Sequence, residues 1–204
     1  MKQEINNFNR MELFKHYNSN TNPFSFVTTR VDITKLYNFC LKNKNYYATI
    51  GYYVAKAANL VEEFKYRYED GKIVKYDKIH PNFTQMFDDE TIGYFACELK
   101  DNYDEFINEY KEVYKRFLNT HTSINKNDGS EIWLSCEPWF QFTGVVPPFN
   151  KEITIPQVIW DKFSIEDGKC YIHMMIMIHH GFADGYHIGK FINTFKSLID
   201  KIED

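Results

Sequence analysis

The chain lacks the usual cysteine patterns. Its four cysteines, Cys40, Cys97, Cys136 and Cys170, are scattered through 204 residues without a Cys-x-x-Cys pair. That spacing supports neither a zinc site nor a disulfide framework, and points to reduced thiols in the cytoplasm. A basic excess is missing too. The formal net charge is −4, which argues against a nucleic-acid partner. No apolar run approaches the ~20 residues of a membrane helix. The longest, "MMIMI" at 174–178, is far too short, and the polar opening "MKQEINNFNR" is no signal peptide. Repeats, Gly/Ser-rich linkers and a Gly-rich phosphate loop are also absent. The length fits one domain over residues 1–204 better than two small ones.

What the chain does have is aromatic bulk. Aromatic residues make up 18%, with 18 Phe and 15 Tyr, enough for a substantial core. "RMELFKHY" (10–17) reads as a short helix and "FSFVTTRVD" (24–32) as a strand, with Asp32 placed to cap the helix that follows. Ile50, Val54, Ala57, Ala58, Val61 and Phe64 recur at helical spacing, which predicts a helix from Tyr46 to Phe64. "YRYEDGKIVKYD" reads as a hairpin around Asp70-Gly71. Strands are expected at 83–87 and 92–98. A periodic helix follows, with Tyr103, Phe106, Ile107, Tyr110, Val113, Tyr114 and Phe117 on one face. "CYIHMMIMI" is apolar at nearly every position, as expected of a central strand covered on both faces. After it comes a helix whose stripe is Ile188, Phe191, Ile192, Phe195, Leu198, Ile199 and Ile202. Strands and helices mix without a strict βαβ rhythm. The fold class expected is therefore α+β, a two-layer sandwich with a mixed β-sheet.

Between that strand and that helix lies "HHGFADGYH" (179–187). Neighbouring side chains on a strand point to opposite faces, so His179 and His180 cannot share a metal ion. His173 and His187 do not repair this, and no cysteine or glutamate stands at ligand spacing, so no metal is expected. A hydrogen-bonded core role suits one histidine better than two. Gly181 and Gly185 let a ligand or a backbone approach closely. Imidazole ordinarily titrates near neutrality, which suits His180 to general-base work, with Asp184 orienting it or pairing with a cation elsewhere.

The stretch resembles the His-His-x3-Asp-Gly-Phe/Tyr-His signature of the trimeric, coenzyme-A-dependent chloramphenicol acetyltransferases. Related motifs occur in plant acyltransferases, peptide-synthetase condensation domains and dihydrolipoyl acyltransferase cores. The rest of the chain narrows the choice. Arg10, Phe14 and Tyr17, "VDIT" (31–34), "YYATIGYYVAKAAN" (46–59), "PNFT" (81–84), "LSCEPWFQF" (134–142) and "FINTFKSLID" (191–200) are similar to that family's segments in order and spacing. The likeness runs from about Asn9 to Ile202.

The resemblance implies that His180 takes the proton of an acceptor hydroxyl as its oxygen attacks the thioester of acetyl-CoA. Ser135 would stabilise the oxyanion, and Asp184 would form a buried ion pair with Arg10. His179 and His187 would be structural. Trp139, Lys162 and Phe163 fall where the family contacts coenzyme A. Tyr17, Phe24, Ser25, Thr84, Tyr94, Trp133 and Ile159 fall at the acceptor. Here the chain departs from the pattern: Trp133 replaces an Asn, Ile159 a Thr, Tyr94 a small residue, Pro23 a Cys and Ser25 an aromatic. The catalytic set is intact while the acceptor-facing set is rewritten. The expected function is an acetyl-CoA-dependent chloramphenicol O-acetyltransferase conferring antibiotic resistance, cytoplasmic and homotrimeric, with sites at subunit interfaces. The alternatives are the same chemistry on another small hydroxyl or amine compound, or a non-catalytic trimeric binding protein.

Overall fold

The computed structural model describes residues 1–202 except Lys44. In chain order the elements are β1 (Lys2–Glu4), α1 (Met11–Asn18), β2 (Phe24–Asp32), α2 (Thr34–Asn43), α3 (Tyr46–Asn59), β3 (Tyr66–Glu69), β4 (Lys72–Tyr76) and β5 (His80–Met86). They continue with β6 (Ile92–Ala96), α4 (Tyr103–Thr120), β7 (Glu131–Glu137), β8 (Gln157–Asp161), β9 (Ser164–Glu166), β10 (Lys169–His179) and α5 (Gly185–Ile199). The main sheet runs β2-β10-β8-β7-β5-β6, with β9 on β10. The pairs β5–β7 and β7–β8 are parallel and the other pairs antiparallel, so the sheet is mixed. A three-stranded sheet, β1-β4-β3, adds to the expected hairpin a first strand that the sequence pattern did not reveal.

Strand β10 explains its own sequence. It is hydrogen-bonded on both sides, and successive residues alternate between two apolar environments. Met174, Ile176 and Ile178 join the main core with Phe191 and Phe195 of α5. Met175 and Met177 pack on the opposite face with Phe24, Phe142 and Ile159. One face thus carries the helices, giving the two layers expected. The other is covered in part by the irregular segment 138–150, which the buried carboxylate of Asp161 ties down through the Phe142 N–H at 3.1 Å.

One expected helix is cut short. The pattern from Tyr46 to Phe64 predicts a continuous helix, yet α3 stops at Asn59 and a 3-10 turn spans Glu62–Lys65. The Asn59 side chain gives the reason. Its Nδ2 donates to the carbonyls of Ala55 and Ile79, both at 2.8 Å, and its Oδ1 accepts the Ile79 N–H at 2.9 Å. The chain is pinned to the start of β5 and turns there, while Val61 and Phe64 still reach the core.

Candidate active site

The two histidines at the end of β10 have opposite fates. His179 is fully buried, its ring 5.1 Å from Phe14, 5.0 Å from Phe182 and 5.7 Å from Phe24. Its Nδ1 accepts the Gly181 N–H at 3.1 Å, so the ring proton sits on Nε2. Burial in this apolar box, helped by the neighbouring His180, lowers its pKa to about 4 and keeps it neutral. The strand then breaks, with the N–H groups of Phe182 and Ala183 both donating to the His179 carbonyl.

His180 turns outward from that break. Its N–H donates to the Pro23 carbonyl at 2.8 Å, and its ring stacks on Tyr17 at 4.1 Å between centroids. Nδ1 lies 3.0 Å from the Ala183 carbonyl. A carbonyl oxygen only accepts, so Nδ1 carries the proton and Nε2 keeps a free lone pair, the form a general base requires. Helix α1, which carries Tyr17, presses directly on this loop. A Cβ on Gly181 would stand 2.6 Å from the Phe14 Cα, so only glycine fits this approach.

Arg10, just before α1, grips the same loop. Its Nη1 meets Asp184 Oδ2 at 3.2 Å, its Nε donates to the Gly181 carbonyl at 3.3 Å, and its Nη2 lies 3.5 Å from the His180 carbonyl. The expected ion pair is therefore formed, but it is not buried in this chain. The two side chains are 17% and 38% exposed. The reason is local: Asp184 is also the N-cap of α5, whose first turn points outward. Its carboxylate accepts the Tyr186 N–H at 3.1 Å while the His187 imidazole accepts the Asp184 N–H at 3.2 Å, a reciprocal capping box. Partial burial works against the Asp184 charge, yet His187, Arg10 and the cap hydrogen bonds together hold its pKa below the usual carboxyl range.

Ser135 lies elsewhere. Strand β7 alternates Ile132 and Leu134 toward the helices with Trp133, Ser135 and Glu137 toward the helix-free face. Tyr94 pairs with Thr84, Thr84 stands level with Ser135, Ser135 pairs with Ile159 and Ile159 with Met175. Four expected site residues thus form one row across the sheet. His180 is five positions beyond Met175 and two strands from Ser135, roughly 16 Å along the sheet and roughly 10 Å across it. Within one chain His180 and Ser135 do not meet.

The remaining expected residues divide similarly. Phe24 pairs with His179, while its neighbour Ser25 faces the other side of β2. Phe24 and Ile159 are 7% and 3% exposed, covered by segment 138–150: Phe149 lies 5.5 Å from the Phe24 ring, and Phe142 and Val145 join the cluster that holds Ile159. Trp139 and Lys162 are exposed beyond the ends of β7 and β8, and the Lys162 N–H donates to the Phe140 carbonyl at 3.1 Å. Phe163 packs on Tyr37 and Tyr46 of the helical layer, at 5.0 and 5.5 Å. The sequence reading missed the buried Glu131 beneath Trp133, although strict alternation in "EIWLSCE" marks both as facing the Ser135 side.

Comparison with known proteins bears on the family and the fold. A family profile described as chloramphenicol acetyltransferase matches residues 1–196. A chloramphenicol acetyltransferase of Clostridium perfringens is 30% identical over 205 residues, covering 98% of both chains. One from Staphylococcus aureus is 29% identical over 214 residues, covering 100% of this chain and 97% of its own. A solved chloramphenicol acetyltransferase superposes with a TM-score of 0.84 at 23% identity, covering 98% of this chain and all of that one. A probable dihydrolipoamide acetyltransferase of Listeria monocytogenes shares the fold at a TM-score of 0.70 and 18% identity, over 99% and 96% of the two chains. With the His-His-x3-Asp-Gly loop, the arginine that grips it and a full-length match, the chain belongs to the chloramphenicol acetyltransferase family.

Proposed function

We propose that this chain is an acetyl-CoA-dependent O-acetyltransferase with chloramphenicol as its default acceptor, acting in the cytoplasm and conferring antibiotic resistance. The observation that carries this reading is the His180 tautomer: Nδ1 is committed to the Ala183 carbonyl and Nε2 is left free. In the reaction Nε2 takes the proton of the acceptor hydroxyl while its oxygen bonds to the thioester carbonyl carbon. The Ser135 hydroxyl donates to the oxyanion that forms. Collapse breaks the carbon–sulfur bond, and the departing thiolate takes back the proton from His180. The thioester is already activated, so a base, an oxyanion donor and orientation suffice, with no covalent enzyme intermediate.

Residues 1–204 form one catalytic domain in this reading, and three chains close a ring. The separation of His180 from Ser135 supports this assembly, because a neighbouring chain can bring its serine to the histidine that its own sheet keeps away. Coenzyme A would then run past Trp139, Lys162 and Phe163, beyond the β7 and β8 ends next to Ser135. A second reading keeps the chemistry and changes the acceptor to another small hydroxyl or amine compound. Trp133 and Ile159 favour it, since both place apolar bulk on the Ser135 face.

The test is release of the CoA thiol from acetyl-CoA across a panel of alcohols and amines, chloramphenicol included. Acceptor-dependent release is expected. Tight binding of a panel compound with no release above the acceptor-free blank would instead favour a non-catalytic binding protein.

A further inference from the structure

One row of the sheet lies beside Ser135 and takes no part in the chemistry above. Asn82, Trp133 and Gln157 stand level across β5, β7 and β8. Trp133 shares the serine's face two positions earlier on β7, so a freely rotating indole there would reach over Ser135. It is not free. Its Nε1–H donates at 3.2 Å to Oε2 of Glu131, two positions further back on the same face.

Glu131 is a firm anchor. It is 4% exposed, and its carboxylate is held from two further directions. Asn82 Nδ2 donates to Oε2 at 2.9 Å, and the Lys126 N–H donates to Oε1 at 2.7 Å. The buried Arg67 fixes the same residue's carbonyl at 2.6 Å. With both carboxylate oxygens and the backbone carbonyl held, the direction of the Trp133 hydrogen bond is set.

We propose that Glu131 is a positioning residue, which draws the Trp133 indole back along β7 and keeps the space over Ser135 open for the acceptor. This rests on the reading of Ser135 as the oxyanion donor. The tether also explains how the chain carries a tryptophan beside its serine without closing the site. The bulk of the indole is spent as a wall at the Glu131 end of the face.

The order of two Trp133 variants tests it, using the panel acceptor that the wild-type protein turns over best. Trp133→Phe keeps a ring but has no N–H, so the ring is released toward Ser135. Trp133→Ala removes the ring. Acceptor KM should rise by about tenfold in Trp133→Phe, the scale of a modest steric misfit, and stay at or below the wild-type value in Trp133→Ala. Acetyl-CoA KM should be unchanged in both. Glu131→Met should behave like Trp133→Phe, and Glu131→Met combined with Trp133→Ala should behave like Trp133→Ala alone, a rescue that general loss of structure would not give. If Glu131→Met does not fold, the Trp133 pair decides by itself. An acceptor KM raised as much by Ala as by Phe makes the indole a plain contact and overturns the tether. So does a change confined to acetyl-CoA KM. A wild-type protein without acceptor-dependent CoA release overturns the acetyl-transfer reading, and the role of Glu131 with it. An active wild type with the reversed order overturns only the latter.

Discussion

Equal amounts of His180→Ala and Ser135→Ala chains, unfolded together and refolded as a mixture, should recover about a quarter of wild-type acetyl transfer. Each variant alone is expected to be nearly silent. Loss of a general base costs roughly 10²–10⁴-fold and loss of an oxyanion donor on the order of 10²-fold. The reason recovery is possible lies in the sheet register. Ser135 is level with Met175 of β10, and His180 follows five positions later, two strands away. At ~3.3 Å per residue and ~4.8 Å per strand the Cα separation is roughly 19 Å, several times what one tetrahedral intermediate can bridge. In the proposed assembly a site takes its histidine from one chain and its serine from the next. In a random assembly half the histidines are intact and half the facing serines are intact. The product is about a quarter of the interfaces. The assay is CoA thiol release, with wild-type chains carried through the same unfolding as the control. If the controls recover and the mixture stays as silent as its parents, the site lies within one chain and the register argument fails.

Asp184→Ala should lower stability in a urea titration by about 0.5–2 kcal/mol, the usual worth of an N-cap. Asp184→Asn should cost less, because asparagine caps as well and loses only the partly exposed charge facing Arg10; equal losses would assign the effect to the charge. That charge contributes above the ordinary carboxyl pKa of about 3.9, and its contribution is lost as pH falls through the lowered native value. His179 acts in the same direction over a higher window: protonation favours the unfolded chain, so stability should fall from about pH 6.5 down to about 4 and level off below. A His179→Asn protein, less stable overall, should show a flatter melting profile across that window, and an unchanged slope would acquit His179. Gly181→Ala places its Cβ 2.6 Å from backbone of α1, so it should destabilise by roughly 1–3 kcal/mol and reduce acetyl transfer by displacing Tyr17 from His180. A wild-type melting point in that variant would mean α1 is not packed on the loop.

Much of the fold was legible because it depends on periodicity. The stripe of α5, the apolar run of β10 and the 3.6-residue spacing of α4 each announce the face they bury, and the structure buries those faces. Strand β2 spans the residues expected of it, Phe24–Asp32. Periodicity failed where a single side chain overrode it, as Asn59 does by tying the end of α3 to Ile79. It also passed over β1, β8 and β9, which are three to five residues long and draw their order from partners distant in the chain.

The sequence alone determined the chemistry on offer: an imidazole pair at a strand end, an aspartate and glycines at turn spacing, and an arginine and a serine far away in the chain. These are matters of residue type and order. Which imidazole nitrogen is free was decided only by tertiary structure, because the partner of His180 Nδ1 is a carbonyl presented by the folded loop. The same holds for the exposure of the Arg10–Asp184 pair, set by the outward-pointing first turn of α5, and for the indole of Trp133, aimed by a buried glutamate. Above all, the sheet register alone separates His180 from Ser135. Hydrogen-bonded strands hold their residues at fixed spacings, and no pattern in one dimension records which residues end up level.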